Sequence, residues 1–197
     1  MNRETVFEEI AVKVAGHDLA VVDYLFDEDL LDGLCNSILA KVEAGSMKMA
    51  GTGNRNYHQV NDAVRNDRIE WLSGDTQEAN EKKFLQIIGE LSEYLNRTCY
   101  AGIRSNEFHY ACFEKGAFYK RHLDRFKNDD ARKLSVITYL NKNWKPEYGG
   151  ELAVYLGEKV QKVMPVFGTT VVFRSHILEH EVLPATQHRL SITGWLR

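Results

Sequence analysis

Past Tyr100 the apolar residues of this chain stop recurring every third or fourth position and recur every second one. No other feature limits the fold as tightly, because a period of two belongs to strands and a period near 3.6 to helices. Eight short alternating runs follow, over residues 103–113, 118–124, 134–141, 151–156, 160–163, 169–173, 177–183 and 189–196. Turn formers such as Glu114-Lys115-Gly116 and Tyr148-Gly149-Gly150 separate them. Ahead of them the pattern is helical with interruptions. A short amphipathic segment covers 5–15, and Leu19-Ala20-Val21-Val22 is strand-like. Leu30, Leu31, Leu34, Cys35, Ile38, Leu39 and Val42 then form a stripe that Gly45 stops. Residues 64–72 alternate as a strand, and a second amphipathic helix runs from about 77 to 97. Strands after a helical lead-in predict a mainly β fold with supporting α-helices: a jelly-roll type barrel backed by the N-terminal helices. The length predicts one domain over 1–197, with the lead-in at about 1–100 and the β core at about 101–197.

Composition excludes several function classes. The chain is 44% hydrophobic and 27% charged with a net charge of −3, so no nucleic-acid or membrane partner is expected from bulk electrostatics. Cys35, Cys99 and Cys112 show no CxxC spacing and read as free thiols of a reducing compartment. The first fifteen residues mix acids with apolar positions and show no signal peptide or membrane span, so the expected location is cytoplasmic. Between 46 and 66 periodicity fails, and Gly51, Gly53, Asn54, Arg55 and Asn56 cluster there. That stretch is either a connector or a mobile flap beside a pocket, and the flap is the expectation.

The chemistry concentrates in two segments. In a strand, residues two apart share a face, so His122 and Asp124 project into one space. One further imidazole completes a 2-His-1-carboxylate set, which holds a metal on one side and leaves positions open, as in non-haem Fe(II) oxygenases. His180 and His176 compete for that place. His180 is preferred because it opens the strand-like Val182-Leu183 run, while His176 follows the apparent end of a strand. Pro184-Ala185-Thr186-Gln187 reads as a turn, which predicts that Arg189 returns antiparallel alongside Val182, near His180. Arg189, Ser191, Thr193 and Trp195 share one face of the last strand, and Leu190, Ile192 and Leu196 the other. An Arg facing into the barrel needs a partner, and a carboxylate pairs bidentately with its planar fork. Arg189 facing outward over an apolar interior is the alternative. Tyr139 is either a second donor to that carboxylate or a core residue.

These segments look familiar together. His122-Leu123-Asp124, Tyr139-Leu140-Asn141, Gly149-Gly150-Glu151-Leu152, Phe173-Arg174-Ser175, His180 through Pro184 and Arg189 through Trp195 resemble the Fe(II)/2-oxoglutarate-dependent dioxygenases. Within these they are most similar to the prolyl 4-hydroxylase group. The Arg65-Asn66-Asp67-Arg68-Ile69-Glu70-Trp71 stretch narrows the resemblance to the branch holding the hypoxia-inducible-factor prolyl hydroxylases and their bacterial relatives.

The resemblance implies a double-stranded β-helix core with iron held by His122, Asp124 and His180. It implies Arg189 and Tyr139 on the distal carboxylate of 2-oxoglutarate, with Ser191 and Trp195 nearby. The implied substrate contacts are Arg65, Asp67 and Trp195, with the loop before Arg65 closing over a peptide. The implied reaction consumes O2 and 2-oxoglutarate, with ascorbate as an accessory reductant, and hydroxylates a prolyl residue of a protein or peptide. Where many relatives carry a Tyr ahead of the first His ligand, this chain has Phe113, so a hydroxyl is missing unless Tyr110 or Tyr119 reaches in. Two alternatives stay open from the residues alone: the same chemistry on a free amino acid or other small molecule, and a cupin-like metal-binding barrel without 2-oxoglutarate.

Overall fold

Helices form where a capping side chain precedes an apolar stripe. The computed structural model describes residues 2–51, 61–125 and 131–197. Helix α1 (Arg3–His17) starts at Asn2, whose side chain accepts from the Glu4 N–H, and ends at a left-handed Asp18. Helix α2 (Glu28–Glu43) starts at Asp27, which accepts from the Leu30 N–H, and α3 (Ala79–Cys99) starts at Glu78, which accepts from Asn80 and Glu81. Each cap satisfies amide donors that the first helical turn leaves without partners. Val6, Ile10, Leu30, Leu34, Ile38, Phe84, Ile88 and Leu91 are all buried on these helices. Leu39, expected in the α2 stripe, is exposed, because it lies about 100° round the helix from Ile38.

Eleven strands follow in chain order among the described residues: β1 (Leu19–Val22), β2 (Lys48–Met49), β3 (Arg68–Trp71), β4 (Asn106–Phe113), β5 (Tyr119–His122), β6 (Leu134–Tyr139), β7 (Leu152–Leu156), β8 (Lys159–Val163), β9 (Thr170–Arg174), β10 (His180–Val182) and β11 (Arg189–Leu196). They form a seven-stranded sheet in the order β1-β9-β6-β11-β4-β3-β2 and a four-stranded sheet in the order β5-β10-β7-β8. The pairings are antiparallel throughout. This is the double-stranded β-helix expected from the strand pattern and the resemblance.

The central strands of the larger sheet, β4, β6, β9 and β11, are buried on both faces. Phe108, Tyr110 and Cys112 of β4 and Leu190, Ile192 and Leu196 of β11 pack in the helical core with Phe84, Ile88 and Leu91. The alternate positions turn the other way. Ala111 and Phe113 of β4 and Ile137 and Tyr139 of β6 meet Leu152 and Val154 of β7 and Val182 of β10 in a second core between the sheets. The two readings of Arg189 are thereby resolved: its apolar neighbours face the helices, and the Arg faces the inter-sheet space.

Three expectations need correction. Strands β10 and β11 are not a hairpin: β10 pairs with β5 and β7, while β11 pairs with β4 and β6 in the other sheet. The 184–187 segment therefore crosses between sheets, and Arg189 approaches His180 from the opposite wall. Second, the expected 46–66 loop is partly sheet, since Lys48 and Met49 pair with Ile69 and Arg68. The rest of that expected flap, 52–60, lies outside the described residues. Third, β10 begins only at His180, because the backbone N–H groups of Ile177 and Leu178 bond back to the Arg174 carbonyl and close a turn. Among the described residues no helix is long and apolar enough to cross a membrane.

Candidate active site

The two sheets converge on His122, Asp124 and His180, whose ligand atoms all lie within 4.8 Å of one another. His122 ends β5 and His180 opens β10, and the two are directly paired across the strands. Asp124 is not on the strand, contrary to the expectation. The chain bends after His122, and Asp124 sits two residues beyond, held by the Ser135 hydroxyl, which donates to Oδ2 at 2.7 Å. Ser135 is in turn 2.9 Å from Ser175. His122 Nε2 is 3.5 Å from Asp124 Oδ1, and His180 Nε2 is 3.5 Å from Oδ2. Adjacent octahedral donors on bonds of ~2.1 Å stand about 3 Å apart, so a metal fits this set after a small contraction.

The orientation of both imidazoles is set from behind. Nδ1 of His122 is 2.6 Å from the Lys120 carbonyl, and Nδ1 of His180 is 3.2 Å from the Leu178 carbonyl. Each Nδ1–H donates to its carbonyl, which leaves the Nε2 lone pairs turned inward, the arrangement that prepares a ligand histidine. Burial pushes the His180 pKa down to about 4, so the ring is neutral and able to bind a cation. For Asp124, burial raises the pKa, but His180, His122 and the Ser135 hydroxyl outweigh it and hold the carboxyl well below the usual range. His176, the competitor, is exposed and lines a different cleft.

Arg189 closes the inner end. It is 1% exposed, and its Nε donates to the Gly150 carbonyl at 2.9 Å. Gly150 is at φ +75, and a Cβ there would stand 2.9 Å from that of Ala185, so the position needs glycine. The guanidinium lies between two rings, 4.9 Å from Tyr139 and 5.1 Å from Phe113. Arg189 Nη2 and Tyr139 Oη are both buried, and neither has a hydrogen-bond partner among the described residues. Two orphaned donors side by side fit one carboxylate of a dicarboxylate. Ser191 pairs with Tyr139 across the strands, is fully buried, and has its hydroxyl 3.3 Å from that of Thr193. Phe113 stands beside the guanidinium as an apolar flank. Of the two tyrosines that could replace its missing hydroxyl, Tyr110 belongs to the helical core, while Tyr119 lines the cleft.

The cleft is narrow, with a cavity volume of about 40 Å³. Along one side runs a stacked column: the Arg65 guanidinium lies 4.3 Å over the Tyr119 ring, which lies 3.5 Å from His122 at 14°. Asp67 holds Arg65 by two bonds of 2.8 and 2.6 Å. Arg65 and Asp67 thus line the cleft as one ion pair, and Arg65 is committed to Asp67 and Tyr119. Trp195 lines the outer part, near His109 and Trp71. Ser135 and His109 are the side chains of this site that the sequence alone did not bring forward. His109 carried a signal, since it shares the alternation of Ala111 and Phe113. Ser135 carried none, because its value comes from Asp124 alone.

A barrel of this topology, with two imidazoles, a carboxylate and a buried Arg facing one cleft, has the architecture of mononuclear non-haem metal oxygenases. The 2OG-Fe(II) oxygenase superfamily model matches residues 108–197. A prolyl-4-hydroxylase of Pseudomonas putida is 33% identical, with 97% of this chain and 98% of that one covered and a TM-score of 0.88. A Trichoplax adhaerens prolyl hydroxylase, in complex with a hypoxia inducible factor oxygen degradation domain peptide fragment, is 26% identical, with 98% and 90% covered and a TM-score of 0.86. Prolyl hydroxylase EGLN3 of Mus musculus is 32% identical over 145 residues, covering 67% of this chain and 58% of its own length. This chain belongs to the 2OG-Fe(II) oxygenase superfamily, among the prolyl 4-hydroxylases. It spans only about half the length of the curated relatives it matches. Family membership implies Fe(II), 2-oxoglutarate and O2, and the donor set and the orphaned pair at Arg189 and Tyr139 fit the first two.

Proposed function

We propose that this protein hydroxylates a prolyl residue of a protein or peptide, using Fe(II), 2-oxoglutarate and O2. The observation that carries the reading is the pair of unpartnered donors, Arg189 Nη2 and Tyr139 Oη, at the closed end of the cleft onto which His122, Asp124 and His180 converge. A metal barrel of another class has no reason to keep a cation buried there, because a charge without its counter-ion is costly. The peptide-bound relative supports a peptide as the substrate class. Free thiols at Cys35, Cys99 and Cys112 support a cytoplasmic location. The shared core of helices and larger sheet supports reading 1–197 as one domain.

In this reading His122, Asp124 and His180 hold the metal on one side, with Ser135 fixing the carboxylate. Arg189 and Tyr139 bind the distal carboxylate of 2-oxoglutarate and so aim its other end at the metal, with Ser191 on the same wall. Bound together, iron and 2-oxoglutarate supply the oxidation: O2 is consumed, 2-oxoglutarate becomes succinate and CO2, and a substrate C–H becomes C–OH. Phe113, Ile137, Leu152 and Val182 line the space between and keep water out. Arg65, Asp67 and Trp195 border the outer cleft, where the substrate enters, and the Arg65–Tyr119 column braces His122.

Purified protein given Fe(II), ascorbate and O2 is expected to release succinate from 2-oxoglutarate, and to stop when O2 is removed. No succinate, with or without proline-containing peptides, would reject the proposal. Ser135→Ala is expected to weaken Fe(II) binding about tenfold or more by calorimetry, as loss of an outer-sphere partner does. An unchanged affinity would show that the backbone alone sets Asp124.

A further inference from the structure

One ring on the cleft wall carries a polar atom that the fold itself does not use. His109 on β4 lies in register between Trp71 of β3 and Thr193 of β11. It is 3% exposed, with ring centroids 4.8 Å from Trp71 and 5.5 Å from Trp195. Its Nδ1 has no hydrogen-bond partner among the described residues, nor does the buried Nε1 of Trp195, and both residues line the cleft. A buried polar atom without a partner is destabilising, and a leucine or methionine would fill the same volume without that cost.

Its place along the barrel separates it from the co-substrate. His109 pairs with Thr193, four residues along β11 from Arg189, which is ~14 Å at the rise of a strand. A dicarboxylate as short as 2-oxoglutarate, held at Arg189, does not span that distance, so the group meeting Nδ1 belongs to the other reactant. Trp71, 52% exposed beside it, marks this as the open side. Burial, with Arg65 and Arg132 nearby, pushes the His109 pKa down to about 3, so the ring is neutral. A neutral imidazole has one donor and one acceptor, and the indole can only donate. Such a wall suits a planar, uncharged group that both accepts and donates, which describes a peptide unit.

We propose that His109 is a specificity-determining residue: its Nδ1 hydrogen-bonds a main-chain amide of the substrate beside the oxidised residue, with Trp195 Nε1–H donating to the same peptide. This rests on the peptide reading of the substrate, so the test separates the two. Wild-type protein with Fe(II), 2-oxoglutarate and O2 is screened against synthetic peptides that each hold a single central proline, with gain of one oxygen read by mass spectrometry. If no peptide is oxidised, the peptide reading fails and takes this proposal with it. With a substrate in hand, His109→Leu is expected to raise the peptide KM about tenfold or more, equivalent to one lost hydrogen bond. The KM for 2-oxoglutarate and the peptide-free succinate rate stay at wild-type values, and Tm is equal or higher. His109→Gln, which keeps a polar head, recovers part of the peptide KM and decides the question if the Leu variant fails to fold. An unchanged peptide KM in the folded variants, or a co-substrate KM rising in step with it, overturns the proposal.

Discussion

Asp124→Asn is expected to lose its metal and all turnover while keeping its fold. The amide preserves volume and an acceptor for the Ser135 hydroxyl, so what disappears is the charge. Two imidazoles then remain to hold a dication, and no other acidic side chain among the described residues joins the cluster. Removal of an outer-sphere partner costs ~10–100-fold in metal affinity, and losing the charged ligand itself exceeds the upper end of that range. Anaerobic titration with Fe(II), or with Mn(II) as a surrogate, measures it directly. Wild-type metal affinity in the Asn variant would remove Asp124 from the ligand set.

Arg189→Met should separate co-substrate binding from everything else. Breaking a buried, hydrogen-bonded charge pair costs about 2–5 kcal/mol, which is ~30-fold to several thousand-fold in affinity. The KM for 2-oxoglutarate rises by that factor, while Fe(II) affinity measured without 2-oxoglutarate stays the same. Without 2-oxoglutarate, burial works against the Arg189 cation, whose Nε has the Gly150 carbonyl but whose Nη2 has no partner. The Met variant is therefore expected to melt at the same or a higher temperature, as removal of an uncompensated buried charge allows. A variant that is destabilised yet binds 2-oxoglutarate normally would make Arg189 a structural residue and reopen the cupin-like alternative.

Both predictions use side chains whose chemical type was readable in the sequence, though their arrangement was only partly so. His122 and Asp124 were placed together by strand alternation, and they are together, but by a bend that Ser135 and Ser175 anchor. Arg189 was brought near His180 by a supposed hairpin, whereas the chain crosses between sheets and delivers it from the opposite wall. The helices were legible from caps and stripes, with Leu39 as the misplaced member. The stacking of Phe113 against the Arg189 guanidinium was not legible, because it requires the register of two strands distant in sequence.

The order of residues alone determined the helices, most of the strands, and which few side chains can carry metal and carboxylate chemistry, because backbone period and side-chain type are local properties; β2 and the ends of β5 and β10 were set by pairing and turns. Only the tertiary structure decided which face of each strand is the working one. In the central strands of the larger sheet both faces are buried, so the alternation of Arg189, Ser191 and Thr193 with Leu190, Ile192 and Leu196 does not by itself say which face meets the cleft. Which polar atoms are left without partners was decided there as well, since that depends on every neighbour at once, and those atoms carry the functional reading.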